Sequence, residues 1–180
     1  LITKGDFDVM SISCIDPKGG YVYYLASPHS AIDRYLYRSR LDGKGEAERV
    51  TPEGEAGYHG YNISGNAQYA LHTFQNSTTP TVYEMISLKK HQTIKVMQDN
   101  RALKERYDSL GLNPKEFFRV DIGEAILDGW MIKPKNFDPA KKYPVIFHIY
   151  GEPASSTVLN TWSSNDMWHQ FLAQQGYILM

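Results

Sequence analysis

The first half of this chain repeats itself, and the repeat limits what it can fold into. Strand-like segments at residues 9–15, 21–26, 34–41 and 47–51 are followed by a second series at 58–64, 68–74, 81–88 and 93–98. Asp16-Pro17-Lys18-Gly19-Gly20 and Asp42-Gly43 divide the first series. Both are turn chemistry, because Pro presets φ and Gly accepts the left-handed backbone of tight hairpins. Tyr21 recurs as Tyr69, Leu36 as Val82 and Val50 as Val96, a period of about 46–48 residues, which suits a four-stranded propeller blade. Leu36 and Arg38 flank Tyr37, and Val82 and Glu84 flank Tyr83. Such period-2 mixing fits sheets stacked side by side, with the 13 tyrosines packed in the layers between them. Two blades cannot close a ring, and a repeat buries its apolar surface only against neighbours. Further blades are therefore expected ahead of residue 1.

After Gln98 the pattern changes. Asp99-Asn100 reads as a helix cap, Leu103, Tyr107 and Leu110 follow at helical spacing, and Gly111 stops the helix. Residues 117–122 and 126–133 read as an antiparallel pair around Gly123-Glu124. Tyr143-Pro144 then leads into an apolar run, residues 145–150, that ends in Tyr150-Gly151-Glu152-Pro153. A continuous apolar run between turn residues predicts a strand buried on both faces of an α/β sheet. The carboxyl ends of such strands are where these sheets place ligands and catalytic groups. A second helix is predicted from a capping box, Ser163-x-x-Asp166, with Met167, Trp168, Phe171 and Leu172 as its apolar face. Gly176 ends it, and Tyr177-Ile178-Leu179-Met180 begins another strand, a crossover that normally gives a parallel pair. The boundaries expected are 1–98 for the blades and 99–180 for the second domain.

Composition excludes several classes. Hydrophobic residues make up 42% and charged residues 22%, an ordinary folded balance, and the net charge is -1 with basic residues no more than paired. No nucleic-acid or anionic-membrane partner is expected, and no apolar run approaches spanning length. The first residues lack the basic start and apolar centre of a secretory leader, and the chain does not begin with Met, as expected of a processed or cut product. The single cysteine, Cys14, sits in a strand context and reads as a small core residue.

Several stretches carry a family resemblance. They are Val96-Met97-Gln98-Asp99-Asn100-Arg101-Ala102-Leu103, Phe137-Asp138-Pro139-Ala140-Lys141-Lys142-Tyr143-Pro144, and the strand ending Tyr150-Gly151-Glu152-Pro153. In this order, after propeller-like repeats, the chain resembles the prolyl oligopeptidase family of serine peptidases, most closely its dipeptidyl peptidase IV branch. The resemblance implies a mixed fold: β-propeller blades (all-β) followed by the N-terminal part of an α/β-hydrolase domain. It implies a parent that releases Xaa-Pro or Xaa-Ala dipeptides from a free N-terminus through a Ser-Asp-His triad. Tyr150 is then the oxyanion-hole residue. A phenol, with an ordinary pKa of about 10, stays protonated at neutral pH and can donate to a developing alkoxide. Glu152 departs from the family pattern, which has a small residue there; it reads as a solvated turn carboxylate, with substrate-amine binding as the alternative.

The rest of the catalytic set is expected beyond Met180. No Ser has Gly at both flanking positions of a G-x-S-x-G elbow. Ser64-Gly65 comes nearest and belongs to a hairpin. His29, His59, His72 and His91 are scattered over the repeats, His148 is expected inside the buried strand, and His169 lies opposite part of its helix's apolar face. No His pair has metal-ligand spacing, so no metal or cofactor is expected. The resemblance allows a homodimeric parent and favours a periplasmic or secreted site. Alternative readings are a non-catalytic propeller-type binding module, or an acylaminoacyl peptidase or esterase of the same fold.

Overall fold

The computed structural model describes residues 1–151 and 156–180. The first 98 residues form two four-stranded antiparallel meanders. One runs β1 (Val9–Asp16), β2 (Tyr21–Ala26), β3 (Tyr35–Arg40), β4 (Glu48–Arg49); the other runs β5 (Tyr58–Ile63), β6 (Tyr69–Asn76), β7 (Thr79–Ser87), β8 (Gln92–Gln98). The repeat is thus structural, but its register corrects two sequence pairings. Tyr21 lies opposite Arg40 and Tyr69 opposite Ser87, which sets Leu36 level with Tyr83 rather than Val82. Tyr83 in turn pairs with Gln98, so Gln98 and not Val96 stands where Val50 does. The β7–β8 pairing carries register shifts at Tyr83/Glu84 and Met85/Ile86, and a bulge sets two residues against one, which defeats simple counting.

The meanders pack face to face. Tyr23 and Leu36 of the first meet Ala70, Ile86 and Leu88 of the second, with Cys14, Tyr21 and Tyr61 partly buried against them. Leu36 and Ile86 are wholly buried, and removing each such side chain from water contributes about 1.5–3 kcal/mol. Cys14 packs as expected of a small core residue, and burial, then the nearby Asp16, pushes its thiol pKa up. The far face of the first meander holds Val22, Tyr24, Ala26, Tyr35 and Tyr37. Tyr24 and Tyr37 are a stacked cross-strand pair; at the same place in the second meander stand His72 and Glu84. Because the sheets stack in the same sense, this polar pair faces the layer between them.

One hydrogen-bond chain crosses that layer, and a second lies along the second meander's side of it. The Leu36 amide donates to Thr51 Oγ1 (2.8 Å), which lies 2.9 Å from Tyr61 Oη, itself 2.7 Å from His91 Nε2. His59 Nδ1 and His72 Nε2 are 2.9 Å apart, and His72 Nδ1 lies 2.8 Å from Glu84 Oε1. His59 is fully buried and sits between the rings of Tyr35 and Phe74. His59, His72 and His91, scattered in sequence, are therefore gathered in space, while His29 is not.

The remaining elements are α1 (Arg101–Asp108), β9 (Glu116–Asp121), β10 (Ile126–Met131), β11 (Val145–Ile146), α2 (Asn165–Gln174) and β12 (Ile178–Leu179). β9 and β10 pair antiparallel, and β11 and β12 pair parallel with α2 between them in the chain. Ile132 and Leu179 exchange backbone hydrogen bonds of 2.9 and 3.0 Å. This inserts β12 between β11 and the end of β10, giving the order β9–β10–β12–β11. Trp130, Ile132, Ala173 and Leu179 form the core beneath α2. Among the described residues no helix is long and apolar enough to cross a membrane.

Three expectations fail here. The run 145–150 is not a strand buried on both faces. Only Val145 and Ile146 are regular strand, and Phe147, Ile149 and Tyr150 are exposed, because the described residues give it one neighbour, β12. His148 is exposed too rather than a core residue. On α2 the apolar residues Met167, Trp168 and Phe171 are exposed, while Asp166, His169, Gln170 and Ala173 face inward. The inward polar groups find partners there: Lys115 Nζ lies 2.9 Å from Asp166 Oδ1, and Gln170 Nε2 donates to the Asn113 carbonyl. The side-chain caps do form: Asp99 Oδ1 accepts from the Arg101 amide (3.0 Å) and Ser163 Oγ accepts from the Asn165 amide (3.2 Å). Asn100 itself adopts a left-handed backbone (φ 53), and its side-chain amide donates to the Thr81 carbonyl.

The interlayer histidines make stability depend on pH. Burial pushes His59 down to about 4, and burial followed by the His72 charge does the same to His91. Their folded pKa values lie below the ordinary 6.5, so the unfolded chain takes up protons first as pH falls. The stability they support is intact above about 6.5 and is lost progressively down to about 4. For His59 the loss is roughly 2 kcal/mol at pH 5. Thermal unfolding is expected to show a lower Tm at pH 5 than at pH 7, with a shallower dependence in His91→Asn. An equal slope in both proteins would contradict this. Tyr61→Phe leaves Thr51 and His91 without their shared partner and is expected to cost about 1–3 kcal/mol, read as a lower urea midpoint at unchanged m.

Candidate functional site

The expected strand end does reach a cavity. Backbone hydrogen bonds from Ile178 to the Pro144 carbonyl, Met180 to the Ile146 carbonyl and His148 to the Met180 carbonyl carry the parallel pairing past β11. This directs Tyr150 to the wall of an open cavity of about 480 Å³, which Trp130, Phe147, His148, Thr157, Val158 and Met180 also line. The wall is mostly apolar, contributed by the β9–β10 hairpin on one side and by the β11 path on the other. Tyr150 is 44% exposed. Glu152 lies outside the described residues.

Beside it is a smaller, polar cavity of about 160 Å³, which shares Trp130, His148 and Thr157 with the first. Here the Lys115–Asp166 pair is mostly buried, with side chains 7% and 12% exposed. Lys115 also lies over the Trp130 ring. His169 Nδ1 is 3.7 Å from Asp166 Oδ1 and has no hydrogen-bond partner. Burial lowers the His169 pKa and the Asp166 carboxylate opposes that shift. Its ring is 5.1 Å from Trp130 and 5.3 Å from His148. A carboxylate, an imidazole and an indole thus surround a polar hole behind the apolar one.

The loop after Tyr150 joins the site to the meanders. The Asn160 amide donates to the Ile32 carbonyl (2.8 Å), its Nδ2 donates to Asp33 Oδ1 (2.9 Å), and its Oδ1 accepts from the Ser77 amide (3.0 Å). Trp162 donates its amide to Gln75 Oε1 and packs edge-on against Tyr107 of α1. Nothing in the sequence pattern singled out Asn160, since its partners are 83 and 127 residues away.

The other candidates separate cleanly. Ser64 accepts from the Tyr69 amide in the β5–β6 turn, a structural hairpin role. His29 is exposed on the β2–β3 loop. His59, His72 and His91 belong to the interlayer network far along the chain from Tyr150. The hairpin register could have revealed their proximity, because Tyr61 opposite His72 makes His59 a diagonal neighbour. Among the described residues no group of three or more His, Cys, Asp or Glu side chains is arranged to hold a metal ion.

Comparison with known proteins agrees with this architecture. Residues 1–81 match the family model described as the dipeptidyl peptidase IV (DPP IV) N-terminal region. Dipeptidyl-aminopeptidase B of Aspergillus niger is 31% identical over 185 residues, covering 100% of this chain and 20% of that protein. "Probable dipeptidyl-aminopeptidase B" of Emericella nidulans is likewise 31% identical over 183 residues. The crystal structure of Porphyromonas gingivalis dipeptidyl peptidase 4 superimposes with a TM-score of 0.88 at 32% identity, over 99% of this chain and 24% of that one. The chain spans about a fifth of the length of the curated relatives it matches. With twin β-meanders that match the DPP IV N-terminal region and similarity that continues across all 180 residues, the chain belongs to the dipeptidyl peptidase IV-like members of the prolyl oligopeptidase family.

Proposed function

We propose that this chain is part of a serine dipeptidyl aminopeptidase, with residues 1–98 as blades of its β-propeller and 99–180 as the beginning of its α/β-hydrolase domain. The strand order β9–β10–β12–β11, with one antiparallel hairpin and a parallel pair joined through α2, supports the hydrolase reading. The observation that carries the functional reading is the place of Tyr150. It stands at the carboxyl end of the β11 path, on the wall of the larger cavity.

In this reading a peptide with a free N-terminus enters the cavity, and a serine from the remainder of the protein attacks its second peptide bond. The carbonyl oxygen gains negative charge as the tetrahedral intermediate forms. The Tyr150 phenol donates a hydrogen bond to that oxygen, an interaction stronger in the transition state than in the ground state. The apolar wall around it excludes water and favours a Pro or Ala side chain next to the scissile bond. The intermediate then collapses to an acyl-enzyme, releasing the shortened peptide, and water frees the dipeptide.

Two measurements test this. In the full-length protein that contains this chain, Tyr150→Phe is expected to lower kcat by about 10²–10³-fold with KM little changed, the effect of losing one oxyanion donor. Unchanged kcat would remove Tyr150 from the reaction. The 180-residue chain by itself is expected to release no chromophore from a Xaa-Pro substrate and to resist labelling by a serine-directed phosphonate; turnover blocked by that reagent would refute the assignment of the triad to other parts of the protein.

A further inference from the structure

We infer that Asn160 is a positioning residue: by joining the loop after Tyr150 to both meanders at once, it holds the Thr157–Val158 wall of the cavity in place. The inference rests on the reading of that cavity as the substrate site. Three hydrogen bonds to one residue carry it. The main chain of Asn160 donates to Ile32, and its side chain donates to Asp33, both just ahead of β3. Its side-chain oxygen accepts from Ser77, in the turn between β6 and β7. One amide therefore spans the two meanders, and each polar atom has a partner of matching type.

The attachment is local to the site. Thr157 and Val158, three and two residues before Asn160, line the cavity together with Tyr150. Trp162, two residues after it, is held by Gln75 and packed on Tyr107. Asp33 is 5% exposed, so its contact with Asn160 is shielded from water and strengthened by the low local dielectric. A wall anchored this way fixes the distance between the apolar lining and Tyr150. A displacement of about 1 Å at such a wall can cost on the order of 100-fold in rate when substrate geometry depends on it.

The chemistry suggests a swap. In Asn160→Asp the Oδ that accepts from Ser77 is kept, but the donor to Asp33 becomes a second carboxylate, and the like charges repel. Adding Asp33→Asn restores a donor on the opposite side, so the pair is rebuilt with its polarity reversed. In the full-length protein, Asn160→Asp is expected to lower kcat about tenfold or more while KM changes less than about threefold. The double variant Asp33→Asn/Asn160→Asp is expected to return to within about threefold of the starting kcat. Hydrogen exchange over 156–164 and at Ser77 reports the attachment without reference to activity. Exchange should accelerate in Asn160→Asp and be slowed again in the double variant.

The outcomes are separable from those for Tyr150. If Tyr150→Phe leaves kcat unchanged, the reading of the cavity fails, whereas the exchange experiment still decides whether Asn160 anchors the loop. If Tyr150→Phe lowers kcat but Asn160→Asp does not, the positioning role is overturned and the oxyanion reading survives. Failure of the swap to restore either kcat or exchange protection overturns it as well, because a lost fold unrelated to this contact would not be rescued by rebuilding it. If Asn160→Asp does not fold, a folded double variant with recovered kcat supports the role, and an unfolded or inactive one overturns it.

Discussion

A polar chain inside an apolar layer sets the relation between the two meanders. Apolar faces such as Leu36 against Ile86 favour contact but tolerate sliding, because dispersion and burial have little direction. The Thr51 hydroxyl does not tolerate it. It accepts from the Leu36 amide on the first meander and meets the Tyr61 hydroxyl on the second, which in turn meets His91. A shift by one residue would leave several of these groups buried and unpaired, at about 1–3 kcal/mol each. The same register is fixed at the other end, where Arg34 and Tyr58 form a parallel bridge and the Arg34 amide donates to the Gly57 carbonyl. Gly57 has a φ of 153, and a Cβ there would sit 2.4 Å from the Gln75 carbonyl oxygen. The crossing of the meanders thus requires a glycine at its entry.

Much of the first half was legible because its strands are bounded by residues that act locally. Asp16 to Gly20 turns the chain through its own Pro and Gly, and the second strand is found at the residues its pattern predicts, Tyr21–Ala26. The interlayer histidines were not legible in the same way. They stand at positions 59, 72 and 91, a spacing that means nothing until the β5–β6 register is known. His72 also occupies the position where the first meander has Tyr24, so the repeat that revealed the fold concealed part of the chemistry.

In the second half the elements follow the sequence pattern but burial departs from it, for a different reason. Reading apolar residues as the inward face assumes that the cover lies within the segment being read. On α2 the inward groups are Asp166, His169 and Gln170, held by Lys115, Trp130 and Asn113, while Trp168 and Phe171 stack on the outer side. The run 145–150 shows the same effect: its composition fits a central strand, yet the described residues supply one neighbour, and its side chains remain exposed. Tyr150 was found from its place at the end of that run, which depends on backbone direction and not on burial. That is why its position by the cavity survives although the burial expected for its strand does not.

The two halves meet in one constraint. Ile32 and Asp33 directly precede Arg34, the residue that bridges the meanders, and Ser77 lies in the turn between β6 and β7 of the second meander. The two polar atoms of an amide are a fixed distance apart. Asn160 can therefore satisfy Asp33 and Ser77 together only when the meanders are stacked in the register that the Thr51–Tyr61–His91 chain selects. A slip in the interlayer would break that span before it disturbed any residue of the cavity. Thr157 and Val158 of the cavity wall directly precede Asn160 along the backbone, so in this reading the hydrogen-bond register of the layer between the meanders bears on the shape of the space beside Tyr150.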